Sequence, residues 1–300
     1  MKLLKTWRKA LMWAMVGMLT IGLIGCGTTS GNQNDQNDQN GQSVDKTVSI
    51  GYVNWAEAVA VSNLWKVILE EQDYQVEMKS LDVAPLFVGL SGGDLDIFMD
   101  SWLPVTHQTY WEKYQDKLDD YGVWYTAEAK IGLVVPQYVD IDSIEEMNAH
   151  KDKFSGKITG IDPGAGIMKA SESAIKSYDL NFELIQSSEA AMMAALEKAY
   201  RNNEWIAVTG WSPHWKFAKY DLKYLEDPKG SFGESEELHT LANKEFTQNH
   251  PEVKAMIEKF KLNDQQIGTL EGYINDGMQP EKAAEKWISE NRELVDSWIK

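Results

Sequence analysis

The chain has 300 residues, 43% of them hydrophobic and 11% aromatic, which is enough apolar material for one large or two medium globular units. Its formal charge of −17 excludes nucleic acid and anionic lipid surfaces as partners and suits a surface protein that must stay soluble. A single cysteine leaves no intrachain disulfide and no cysteine-based metal cluster, and no metal or other cofactor is expected.

The first segment, "MKLLKTWRKA", supplies Lys2, Lys5, Arg8 and Lys9, and an apolar run follows from about Leu11 to Ile24. A charged start and a short apolar stretch predict a signal peptide over residues 1–25. The run is too short for a comfortable membrane span. It ends "LIGC", similar to the bacterial lipobox, where a peptidase cuts before the cysteine and lipid is attached to it. Cys26 stands there and at no other place, which marks it for lipidation. Residues 26–46 carry almost no apolar side chains and cannot offset their ordering entropy by burial. They predict a flexible tether averaging about 25 Å end to end. The protein is therefore expected at the extracytoplasmic face of the cell membrane, held by lipid alone.

From residue 47 strands and helices alternate. "KTVSIGYV", "YQVEMKSLD" and "DLDIFMDSW" read as strands, separated by the helices "AEAVAVSNLWKVILEEQ" and "VAPLFVGLSGG". The order returns as "GKITGI", "GAGIMKASESAIKSYD", "NFELIQSS", "EAAMMAALEKAYRNN" and "EWIAVTGW". Gly51 and Gly160 stand 109 positions apart, as do Trp102 and Trp211, and Pro104 and Pro213. The repeat predicts two α/β units with mainly parallel sheets. "AKIGLVVPQY" reads as a strand crossing between them, and the chain after about Leu238 as helical, returning to the first unit. The expected boundaries are 47–133 for the first lobe, completed by 239–300, and 134–238 for the second, with a hinged cleft between.

In such sheets ligands meet the carboxyl ends of the strands. Three of those ends carry tryptophan: Trp55, Trp102 and Trp211. Indole faces attract a cation and offer no hydrogen-bond acceptor, so a box of them favours a quaternary ammonium over a primary one. Such solutes are often zwitterions, and a carboxylate site should accompany the box. In "GIDPGAGIM" a Gly-rich turn opens a helix, which turns the N–H groups of Gly166 and Ile167 outward, although a plain strand-to-helix turn explains the motif equally. His107 is either a further donor or a structural histidine. Trp65, Trp111, Trp205, Trp287 and Trp298 read as packing, Trp124 and Trp215 stay open, as does His214, and His150, His239 and His250 read as surface. An enzyme would need a nucleophile with a base, or a metal set; neither GxSxG nor HExxH occurs, and Asp100, Asp162 and Glu57 are carboxylates that any acidic chain places near a cleft.

"VNWAEA", "DSWLPVTH", "GIDPGAGIM", "TGWSPHW" and "KYDLKYLEDPK" together resemble the glycine betaine-binding proteins of osmoprotectant ABC importers, over about residues 48–300. The resemblance implies a two-lobed type II periplasmic-binding-protein-like fold that closes on its ligand. It implies a trimethylammonium cage of Trp55, Trp102 and Trp211, a carboxylate held by the amides of Gly166 and Ile167, and assistance from His107. It implies permease subunits as partners. Some relatives carry the two halves in the opposite chain order. Others use four or five aromatics for choline or broader sets. The three-tryptophan pattern favours glycine betaine, with proline betaine next; carnitine, choline and ectoine are the alternatives.

Overall fold

Residues 46–300 are described by a computed structural model. The expected signal peptide, Cys26 and nearly all of the tether lie outside the described residues. Among the described residues no helix is long and apolar enough to cross a membrane.

The chain begins with β1 (Thr47–Tyr52), α1 (Ala56–Glu70), β2 (Gln75–Ser80), α2 (Val83–Gly92) and β3 (Ile97–Leu103). Then come α3 (Gln108–Tyr114), β4 (Leu118–Val123) and β5 (Lys130–Pro136). The second run is β6 (Lys157–Thr159), α4 (Gly166–Ser177), β7 (Glu183–Ile185), α5 (Glu189–Arg201), β8 (Val208–Ser212), α6 (Lys216–Lys219) and β9 (Leu222–Tyr224). The chain ends with β10 (Glu237–Asn243), α7 (Lys244–Asn249), α8 (Pro251–Ile257), α9 (Asp264–Asn275), α10 (Pro280–Glu290) and α11 (Arg292–Ile299).

Among the described residues, ten strands form two five-stranded sheets, ordered β2-β1-β3-β10-β4 and β7-β6-β8-β5-β9. The orders correspond strand for strand, as the repeat implies. In each sheet the three strands of a β-α-β-α-β run pair in parallel, and a strand from another part of the chain adds antiparallel beside the third: β10 against β3, β5 against β8. The sheets are therefore mixed rather than mainly parallel. The stretch after Leu238 is also not wholly helical, since β10 fills the first sheet between β3 and β4. The expected strand through "EWIAVTGW" begins only at Val208, and Trp205 packs ahead of it against Phe154 and His150.

All seven residues of β3 are buried, so the strand is covered on both faces. The residues α1 buries include Leu64, Trp65 and Ile68. The C-terminal helices supply Trp287 and Trp298; Trp298 stacks on both Trp65 and Trp287, and Phe260 meets Trp65 and Trp298 edge-on in the same cluster. Trp124, left open by the sequence, belongs to the same core: it is 1% exposed, stacks on Phe260 and donates its N–H to the Met99 carbonyl at 2.6 Å. His250 is buried, not on the surface, because its ring stacks on Phe246 at 4.6 Å. Helix ends follow local chemistry. Asn263 and Gln266 form a capping box at the start of α9, and α2 ends on Gly93 at φ 84°, a left-handed position that costs glycine nothing.

Candidate ligand-binding site

Three elements bring the tryptophans to one place. Trp55 is the extended residue just before α1, at the end of the β1 connection. Trp102 sits near the end of β3, opposite Leu238 of β10, and Trp211 near the end of β8, opposite Ile131 of β5. They are 5%, 3% and 3% exposed, yet all three border a cavity of about 280 Å³. Ile131, Ile161 and Ala165 add apolar wall. Glu57, Thr106, Gly166 and Ile167 complete it. Five of the six sequence-predicted residues thus share one cavity, built from both sheets.

The sixth, His107, stands behind the wall. It is fully buried, and its ring stacks on Trp55 at 5.9 Å and 20°. Its Nδ1 accepts the Trp102 N–H at 3.0 Å, which leaves the ring proton on Nε2. Burial pushes its pKa down to about 3, so the ring is neutral. Nε2 has no hydrogen-bond partner among the described residues.

Gly166 and Ile167 open α4, and Ala165 before them makes no side-chain cap. The first N–H groups of a helix have no carbonyl of their own helix to bond. A side chain at 166 is excluded: a Cβ there would lie 2.3 Å from the Thr106 carbonyl oxygen. The loop after β3 thus meets α4 backbone to backbone. That loop is held by Glu236, which accepts the Thr106 N–H at 3.0 Å, the Val105 N–H at 3.3 Å and the Thr106 hydroxyl. Tyr110 donates its hydroxyl to the Gly164 carbonyl at 3.3 Å across the same junction.

The tryptophans rest on a buried polar layer. Trp102 donates its indole N–H to Asp100 at 3.1 Å, and Trp211 donates to Glu57 at 2.8 Å. Glu189 accepts the Ala56 N–H at 3.0 Å and the His214 Nε2–H at 3.1 Å. His214 Nδ1 in turn accepts the Lys216 N–H, and the Lys216 ammonium reaches the Trp211 carbonyl at 3.2 Å and lies 4.2 Å from the centre of the Trp211 ring. Burial dominates the electrostatics. It raises Glu57 to about 7 and Glu189 to about 8, lowers Lys216 to about 7, and drives Asp100 and Glu271 up and His214 down. The His214–Glu189 contact is therefore a hydrogen bond from a neutral ring. Trp215 caps α6 half-buried, beside Tyr220, and borders a neighbouring cleft instead of this cavity.

Sequence reasoning missed this layer. A buried indole needs an acceptor for its N–H, and that need was the available signal for Asp100 and Glu57. Lys216 had another: it stands 109 positions after His107.

Two corresponding mixed sheets, joined at a cavity walled by the ends of their strands, define a two-lobed α/β binding protein of the periplasmic type. A family model, the substrate-binding domain of ABC-type glycine betaine transport systems, matches residues 46–290, and the chain belongs to that family. The glycine betaine/carnitine transport binding protein GbuC of Listeria monocytogenes is 44% identical over 150 residues, which is 49% of this chain and spans only 50% of that relative's length. Lactococcal OpuAC, in its closed-liganded conformation with glycine betaine, is 40% identical with a TM-score of 0.80, covering 85% of this chain and 100% of that one. The glycine betaine/L-proline-binding protein ProX of Borrelia burgdorferi is 35% identical with a TM-score of 0.81, covering 85% and 97%.

Proposed function

We propose that this chain is the extracytoplasmic binding component of an ABC importer and captures glycine betaine for delivery to the permease subunits. The observation that carries the reading is the convergence of Trp55, Trp102 and Trp211, from two sheets, on one small cavity. Indole faces attract a cation, by about 0.5–2 kcal/mol per ring, and ask no hydrogen bond of it. A trimethylammonium group fits that environment. The carboxylate of the same ligand would take the N–H groups of Gly166 and Ile167 and the Nε2–H of His107, whose proton placement and lack of a partner suit it to donate. Each group in this reading binds or orients, and none transfers a bond, so we read the protein as a carrier and not an enzyme.

The two sheets are taken as the centres of two lobes that close on the ligand, about 47–133 with 239–300 and about 134–238. Residues 1–25 are taken as a lipoprotein signal peptide, Cys26 as the lipidated residue and 26–46 as a tether, which places the protein at the outer face of the membrane. In cell fractionation, Cys26→Ser should leave the membrane fraction.

The three indoles and the apolar side chains of Ile131, Ile161 and Ala165 wall the cavity closely, which suits glycine betaine better than the longer carnitine. Choline has no carboxylate and would leave the amide donors idle. Proline betaine keeps both ends and is the nearest rival, with ectoine behind. Competition calorimetry with glycine betaine, proline betaine, carnitine, choline, ectoine and glycine tests the reading. Glycine betaine should bind most tightly and glycine not measurably. Equal affinity for glycine and glycine betaine would overturn it.

A further inference from the structure

Glu57 lies two residues past Trp55, in the first turn of α1. It is 1% exposed and is the one carboxylate among the described residues that border the cavity. Its Oε2 accepts the indole N–H of Trp211, which comes from the other sheet. The geometry points to Glu57 as the residue that sets the cavity's selectivity for a permanent cation, by supplying a buried negative charge beside the headgroup while holding Trp211 in place. The inference rests on the reading above, that the cavity takes a quaternary ammonium.

The charge balance around Glu57 supports it. The groups that act on it are Asp100 from β3, Glu189 from α5, Glu271 from α9, Lys216 beside Trp211, and the Tyr224 phenol of β9. Four buried carboxylates thus face one buried ammonium. Buried carboxylates without counterions are costly and are compensated by a proton or by a cation. Burial already raises Glu57 to about 7, so in the empty site a proton supplies part of the compensation. A trimethylammonium group brings the missing positive charge and has no N–H to satisfy. A ligand of the same shape with a carbon in place of nitrogen brings the shape alone. Cation binding should therefore expel a proton and strengthen as pH rises through 7.

The test uses the whole chain and two ligands, glycine betaine and its carbon isostere 3,3-dimethylbutyrate, titrated into wild type and Glu57→Gln at pH 6 and pH 8. Glutamine keeps an oxygen acceptor for Trp211, and the isostere reports whether the cavity is intact. Wild type should prefer glycine betaine, more strongly at pH 8 than at pH 6. Glu57→Gln should bind the isostere as wild type does and lose about tenfold or more of the preference, with a weaker dependence on pH. A variant that keeps the full preference, or that loses both ligands equally, overturns the inference. A wild-type preference that does not change between pH 6 and pH 8 overturns it without any variant. Wild type that binds no glycine betaine overturns the functional reading itself, a result distinct from all of these.

Discussion

Where the indole N–H goes separates Trp102 and Trp211 from two equally buried packing tryptophans, whereas the N–H of Trp55, like that of Trp65, has no partner among the described residues. Trp124 and Trp287 donate to main-chain carbonyls, of Met99 and Gln266, as packing residues can anywhere. Trp102 and Trp211 donate to carboxylates, of Asp100 and Glu57. A carboxylate at the N–H edge leaves the ring face free and its electrons less withdrawn, which suits a ring that faces a cation. Trp211→Ala, still folded, should lose about 2 kcal/mol of glycine betaine affinity, or roughly thirtyfold, by calorimetry. Trp287→Ala should keep that affinity and lose about 3–5 kcal/mol of stability in denaturant titration. The opposite pairing of effects would sink the cage. The sequence made the three rings legible because each follows an apolar strand. It did not separate Trp124 from them, and it placed His250 on the surface, because rings that cover both come from distant parts of the chain, Phe260 on Trp124 and Tyr74 on His250.

Among the elements, the start of α4 carries the tightest demand. Its backbone meets the Thr106 carbonyl so closely that one added methyl at 166 has no room. The neighbour cannot yield easily, since Glu236 holds both Val105 and Thr106. Gly166→Ala should therefore keep α4 away from the loop after β3 and weaken glycine betaine binding by about tenfold or more, since a small misplacement of binding groups is expensive. Unchanged affinity would show that the contact is not part of the bound form. The strands β1, β3 and β8 were readable in the sequence because each stands in a repeated order of strands and helices and ends at a tryptophan or just before one. The strands β4 and β9 were not: "LDDYGV" carries two acids and "LKY" is three residues long. In β10, "ELHTLAN" has no clean alternation, and its place between β3 and β4 is set by partners more than 100 residues earlier.

At the scale of the molecule, the buried carboxylates make stability depend on pH. Glu57 at about 7 and Glu189 at about 8 both lie above the usual 4.5, so the folded state holds protons that the unfolded chain releases. Their contribution is fully present below about pH 4.5 and is lost as pH rises through their folded values. Lys216 at about 7 works in the other direction, but only above that value, because its cost is already complete below it. His107 and His214, held neutral by burial, also work in the other direction, up to about the ordinary histidine value of 6.5, while Asp100 and Glu271, driven up by burial, add to the effect of Glu57 and Glu189, so that four carboxylates outweigh two histidines. Asp120 and Glu252, held low by hydrogen bonds from His239 and Tyr74, act only at more acidic pH. The ligand-free protein should therefore melt at a lower temperature at pH 7 than at pH 5.5, and saturating glycine betaine should narrow the difference. A melting temperature that rises over that interval would contradict the buried layer. The chain crosses between the sheets twice, after β4 and after β9, and the Glu236 N–H bonds the Ala129 carbonyl at 2.7 Å, tying the two crossings together. In mechanical terms this is a flexure made of two straps side by side: soft in bending, stiff in torsion. A body on such a mount has one easy direction of travel. On the proposed reading, each cycle of opening and closing should then retrace the same arc, and whatever docks against the outer rims of the two halves should meet them in the same alignment every time.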